Sequence, residues 1–223
     1  MQHTEVDHLV VVAHDLAQGA AWCQETLGVA PQAGGRHALM GTHNLLLAVG
    51  SPAYPKSYLE IIAIDPQAPA PGRKRWFGMD DAALQARVRE VPELVGFVAR
   101  SGMVDMHRWG LIHCGYVPGP ILKASRETPA GLLQWQIVVP DDGAMLAGGA
   151  LPLLIQWQGP HPSDALADSG VQLTGLGVRG LPDKAAQVLR LRPLERLAPP
   201  GPALSVRLQT PRGERALATT PPA

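Results

Sequence analysis

Apolar residues fall in short blocks along the whole chain, divided by Gly and Pro. Val6–Ala13 (VDHLVVVA) is a continuous, β-branched run, the pattern of a strand buried on both faces. Asp15 then stands where an N-cap belongs, and Leu16–Leu27 has helical spacing, with Leu16, Ala20, Cys23 and Leu27 on one face. Gly28 supplies the glycine expected just past a helix end. Further strands are predicted at His37–Met40, Asn44–Val49 and Tyr58–Ile64, each bounded by Gly or Pro. The order is strand, helix and three strands, βαβββ, within residues 1–66.

Residues 65–80 (DPQAPAPGRKRWFGMD) are rich in proline and charge and predict a connector crossing the surface, followed by a short helix over Asp81–Val91. Together they make a linker, 67–92. The pattern then begins again. Glu93–Ala99 reads as a strand, Gly102–Cys114 as a helix, and Ile121–Ser125, Leu132–Val139 and Leu151–Trp157 as strands, all within 93–160. A third, partial βαββ unit over 161–223 carries a strand at Val171–Val178, a helix at Asp183–Leu191 and strands at Leu204–Thr210 and Arg215–Thr219. The predicted class is α+β, with repeated βαβββ modules and mixed sheets.

Composition narrows the function. The chain has 223 residues, 46% of them apolar, enough for a sizeable core and too many for a disordered polar chain. Runs such as Leu9–Ala13 and Leu45–Val49 fall far short of the roughly 20 apolar residues that span a bilayer, so no membrane partner is expected. Nineteen basic residues balance nineteen acidic ones, which argues against a nucleic-acid partner. A net charge of zero also offers little repulsion against pairing into a homodimer. The 24 glycines and 22 prolines sit largely in the punctuation between strands. Cys23 and Cys114 are too few and too far apart for a disulfide framework, and the first residues lack a basic, then apolar, leader pattern. Both observations predict a cytoplasmic protein.

Two residues interrupt apolar strands with ionisable chemistry. His8 lies in the first strand, either as a core histidine satisfied by neighbours or as a ligand. Glu60, inside YLEIIAI, is an outward-facing residue, one half of an ion pair with an arginine such as Arg126, or a functional carboxylate. His43, in Gly-Thr-His-Asn, suits a turn or the mouth of a site. Arg126 is either a solvated surface group or a bidentate anchor for a carboxylate or phosphate. Trp135 and Trp157 are expected to line a core or cleft. His37 and His161 carry less weight. Nucleotide and hydrolase signatures are absent: Gly175-Leu176-Gly177 lacks the rest of a dinucleotide fingerprint, and there is no phosphate loop or nucleophile elbow.

DHLVVVAHDL, GGRHALMGTHNLLLAVG and YLEIIAIDP, in that order, resemble the glyoxalase-like domains of the vicinal oxygen chelate superfamily. The resemblance is strongest over residues 5–66 and continues more weakly through Arg126, Leu133–Trp135, LPLLIQW and His161-Pro162; beyond 170 only the element order corresponds. It implies paired modules curled around a cleft, and a divalent metal (Mn, Fe, Ni, Mg or Zn) that binds oxygens of a small substrate. The ligand positions it implies are His8, Glu60 and Gln156, with Leu94 at a fourth position that cannot bind. The implied function is a metal-dependent lyase, isomerase or dioxygenase in which Glu60 doubles as the catalytic base and His43, Arg126, Trp135 and Trp157 contact substrate. The alternative is a metal-free module that binds or sequesters a small molecule on the same scaffold.

Overall fold

A computed structural model describes residues 3–220; Met1 and Gln2, where the reading for a leader begins, lie outside the described residues. The first strand, β1 (Glu5–Val12), leads into helix α1 (Leu16–Leu27), then β2 (Gln32–His37), β3 (Thr42–Ala48) and β4 (Tyr58–Ile64). After helix α2 (Ala82–Glu90) come β5 (Glu93–Arg100), α3 (Val104–His113), β6 (Ile121–Thr128), β7 (Gly131–Val138) and β8 (Leu153–Gln158). The chain ends with β9 (Gln172–Arg179), α4 (Asp183–Leu189), β10 (Glu195–Leu197), β11 (Leu204–Thr210) and β12 (Gly213–Ala218).

The class is α+β, as the periodicities predict. Strands β1–β8 form one curved eight-stranded sheet in the order β2-β3-β4-β1-β5-β8-β7-β6, and β9–β12 form a separate four-stranded sheet, β10-β9-β11-β12. The antiparallel pairing of β1 with β5 joins the two halves of the large sheet at its centre. Its outer strands β2 and β6 come near one another, so the sheet nearly closes on itself. No helix among the described residues is long and apolar enough to cross a membrane.

Both faces of the large sheet are covered, which explains the unbroken apolar run of β1. Leu9 and Val11 point outward to a cluster containing Leu59, Ile61 and Phe97, residues of α1 and α3, and Leu173, Leu176, Val206 and Leu208 of the small sheet. Val10 and Val12 point inward to Ile62, Val98, Trp135, Ile137 and Ile155. The backbone N–H of Leu173 donates to Val49 O, and that of Leu176 to the Tyr54 hydroxyl, so the small sheet is pinned to the first half of the molecule.

Helix α1 begins where the Asp15 carboxylate accepts from the Gln18 N–H and ends at Gly28, whose φ of 81° is left-handed. Its buried face is Gly19, Cys23 and Leu27 rather than a stripe through Ala20, because the backbone approaches β4 too closely for a side chain. A Cβ on Gly19 would stand 2.5 Å from Ile61 Cγ2.

Three expectations are corrected. The second strand is Gln32–His37 rather than His37–Met40; residues after His37 turn, with the Met40 and Gly41 N–H groups both donating to His37 O. The 65–80 segment does not simply cross the surface: Trp76, Phe77 and Met79 are buried and close the inner face of the large sheet. The chain after α4 also carries a short parallel strand, β10, which its Pro-rich surroundings hid.

Gly19→Val is expected to destabilise the protein by about 1–3 kcal/mol through overpacking against Ile61, read as a lower urea midpoint at unchanged slope.

Candidate active site

The site grows from an irregularity in β1. Pairing of β1 with β5 shifts register between Val6 and His8, a bulge that leaves the side chains of consecutive residues Asp7 and His8 working on the same feature. Asp7 is completely buried. Its Oδ1 lies 2.7 Å from His8 Nδ1, and its Oδ2 accepts from Trp157 Nε1 and His161 Nε2, both at 3.0 Å. Burial alone would raise the Asp7 pKa, but the hydrogen bonds from His161 and His8 overcome it and hold the carboxyl well below the usual carboxylate range. Asp7 is thus an ionised acceptor fed by three donors, and its bond to Nδ1 assigns the remaining His8 nitrogen, Nε2, to the inside of the sheet.

That nitrogen lies 3.5 Å from Glu60 Oε2. Glu60 projects from β4, buried, and Asn44 Nδ2 donates to its Oε1 at 2.6 Å. Asn44 is fixed in turn, its Oδ1 accepting from the Gly35 N–H at 2.8 Å. His37 Nε2 stands 3.9 Å from Glu60 Oε1, while its Nδ1 lies 3.0 Å from Thr42 Oγ1. Burial lowers the His37 pKa from 6.5 to about 4 against the opposing pull of Glu60. Tyr58 stacks on His8, ring centroids 4.6 Å apart, and burial with the charges of Asp7 and Glu60 drives its phenol well above the ordinary value.

These groups surround a chamber of about 30 Å³, enough for a water or a single small functional group. Trp76, Phe77, Trp135 and Trp157 supply its apolar walls. A wider groove of about 590 Å³ adjoins it and shares Leu46, Arg126 and Pro162 with it. A larger open trough of about 1340 Å³ lies elsewhere, against α4, and gathers no comparable set of buried groups.

Of the residues singled out in the sequence, His8, Glu60, Arg126, Trp135 and Trp157 meet at the chamber. Gln156 and His43 do not. The pleat points Ile155 and Trp157 of β8 inward and turns Gln156 to the opposite face, where its Oε1 accepts from the Val104 N–H at 2.9 Å. His43 is turned away in the same manner, between the inward Thr42 and Asn44. Leu94 packs in the outer cluster, and the β5 residue opposite His8 is the apolar Val98. Sequence reasoning passed over Asp7, Asn44 and Tyr58 and underweighted His37 and His161. Asp7-His8 as adjacent polar residues in an apolar strand was the available signal.

A resident divalent metal does not fit this arrangement. Among the described residues no three His, Cys, Asp or Glu side chains group so that they could hold one. With Gln156 on the far face, the expected set shrinks to His8 Nε2 and Glu60, and the Arg126 guanidinium borders the same chamber, where Glu60 acts on it through space.

The model of a family described as a glyoxalase-like domain matches residues 6–192. No curated protein matches the sequence. Among solved structures, a hypothetical protein from Staphylococcus aureus aligns over 96% of this chain and 86% of its own, at 12% identity and a TM-score of 0.58. Streptomyces coelicolor methylmalonyl-CoA epimerase in complex with 2-nitronate-propionyl-CoA aligns over 72% of this chain and 99% of its own, at 15% identity and a TM-score of 0.44. The epimerase from Mycobacterium tuberculosis aligns over 72% of this chain and 91% of its own, at 19% identity and a TM-score of 0.39.

Because the folded His37 is depressed to about 4 from 6.5, the unfolded chain takes up this proton first, so acid favours unfolding. Stability is expected to fall by up to about 3 kcal/mol as pH drops from 6.5 to 4. His37→Gln should remove that slope from urea midpoints measured across the same window.

Proposed function

Since this chain belongs to the glyoxalase-like domain family of the vicinal oxygen chelate superfamily, we propose that it is a metal-independent enzyme of the lyase or isomerase type. It moves a proton on a small oxygen-bearing molecule within the chamber. The modules 1–66 and 93–160 supply most of the site, Trp76, Phe77, His161 and Pro162 from the flanking segments complete it, and the rest of 161–223 buttresses its outer face. The observation that carries this reading is the buried file Asp7, His8, Glu60, in which His8 Nδ1 is bonded to one carboxylate and Nε2 faces another 3.5 Å away.

Each residue has a separate task. Asp7 holds the imidazole in one tautomer and offsets the positive charge it gains on taking a proton. His8 Nε2 is the base aimed into the chamber. Glu60, oriented by Asn44, stands on the far side of the same gap, placed to receive that proton or return one to another atom of the substrate. Trp135, Trp157 and Trp76 exclude bulk water, which strengthens every charge interaction inside. The reacting group takes the place of water in the chamber, and the rest of the molecule lies in the groove.

The adjoining groove, of a size and apolar character that suit a small ligand, favours a second reading, a protein that binds and sequesters without turnover. The two readings separate by proton NMR, following solvent deuterium uptake at acidic C–H positions in a panel of small 2-oxo and 2-hydroxy acids. Exchange is expected to survive exhaustive chelation and to fall about 100-fold or more in His8→Gln and Glu60→Gln. Exchange abolished by chelator and restored by added Mn or Zn defeats the metal-independent reading. Binding without exchange of any panel member favours sequestration.

A further inference from the structure

Among the described residues Arg126 is the one cation bordering both cavities, and it is poorly satisfied. It projects from β6, and its Nε and Nη1 are buried without a hydrogen-bond partner among the described residues. Glu60 attracts it, yet no ion pair joins them within 4.0 Å: the two oxygens of Glu60 are engaged by Asn44 and faced by His8 and His37. Arg126 is half-buried, and two guanidinium nitrogens withdrawn from water without a partner are costly. The fold nevertheless makes room for it. Gly35, on the opposing edge strand β2, lies so close that a Cβ there would stand 2.5 Å from Arg126 Nη1.

We propose that Arg126 is the recognition residue for a monocarboxylate with an apolar tail. This deepens the proton-transfer reading and rests on it for the location of the reacting group. The planar guanidinium offers Nε with Nη2, or Nη1 with Nη2, to the two oxygens of a carboxylate, which satisfies one of the orphaned nitrogens and neutralises the charge. Charge selects the class further. Glu60 already places a carboxylate on the chamber, so a single negative charge is tolerated there better than the two of a phosphate monoester. The tail is set by the groove, which is lined by Leu46, Pro129, Leu133, Pro162 and Leu166, with Asp164 as its one carboxylate among the described residues. A carboxylate held at Arg126 sits where the two cavities meet, so the carbon beside it points to the chamber while the chain beyond occupies the groove.

The test is direct binding of three probes of one chain length, hexanoate, hexanamide and hexyl phosphate, to the full chain by titration calorimetry. The wild type is expected to bind hexanoate about tenfold or more tighter than either of the others. Arg126→Gln should erase the preference for acid over amide. Gly35→Ala, which crowds the guanidinium from the other edge, should weaken hexanoate while sparing hexanamide. His8→Gln should keep the preference while losing deuterium exchange, so failure of the proton-transfer reading leaves a different mark from failure of this one. The proposal is overturned if hexanoate binds the wild type no tighter than hexanamide, if hexyl phosphate binds tightest, if no probe binds, or if Arg126→Gln keeps the preference.

Discussion

The structure is organised around one fully buried carboxylate. A charge in the core is tolerated only where the surrounding groups replace the water it lost, and Asp7 receives that replacement from three rings. The donors come from distant parts of the chain: His8 from the same strand, Trp157 from β8, and His161 from the turn after it. Satisfying Asp7 therefore ties the start of β1 to the end of β8 and to the turn that follows it. It also fixes the His8 tautomer, which decides what faces the chamber. Replacing Asp7 by an apolar residue would not merely delete a bond; it would leave three N–H groups without an acceptor.

Neutrality and charge are divided sharply across a few ångströms. His37 stays unprotonated because burial outweighs the pull of Glu60, whereas Asp7 stays ionised because donors outweigh burial. Asn44 accounts for much of this order. As a neutral donor it steadies Glu60 without adding charge, and through the Gly35 N–H it connects that carboxylate to the backbone of the edge strand.

Much of the fold is written in local patterns. The continuous apolar run of β1, the Asp15 cap, the Gly28 stop and YLEIIAI each specify an element through chemistry within a few residues, and each stands where the pattern puts it. The failures share a cause: the decisive partner is far away in sequence. QAGGRH shows no strand propensity, and its glycines are needed because Asn44 and Arg126 press on them from β3 and β6. Trp76 and Phe77 sit in a Pro- and charge-rich segment, yet they cap the inner core. At the site, a strict two-residue period would send Asp7 away from His8, and only a bulge, invisible to periodicity, joins them. Likewise, aligning YLEII with LLIQW put Gln156 one residue off the face that matters, and a slip of one residue in a strand is a reversal of direction.

The position of Arg126 has a consequence for how such a molecule diversifies. The buried polar groups Asp7, His8, Asn44 and Glu60 belong to β1, β3 and β4, while Arg126 and Trp135 belong to the β6–β7 hairpin at the other edge of the sheet. That hairpin pairs with the sheet on one side only, through β7 and β8. Its contacts with the rest of the sheet at the site are side-chain ones, Arg126 against Gly35 of β2 and Trp135 against His37 and Trp157. On the proposed reading, reactivity and selectivity would rest on separate parts of the sheet, so substitutions in the hairpin would change the preferred ligand while leaving the central strands as they are.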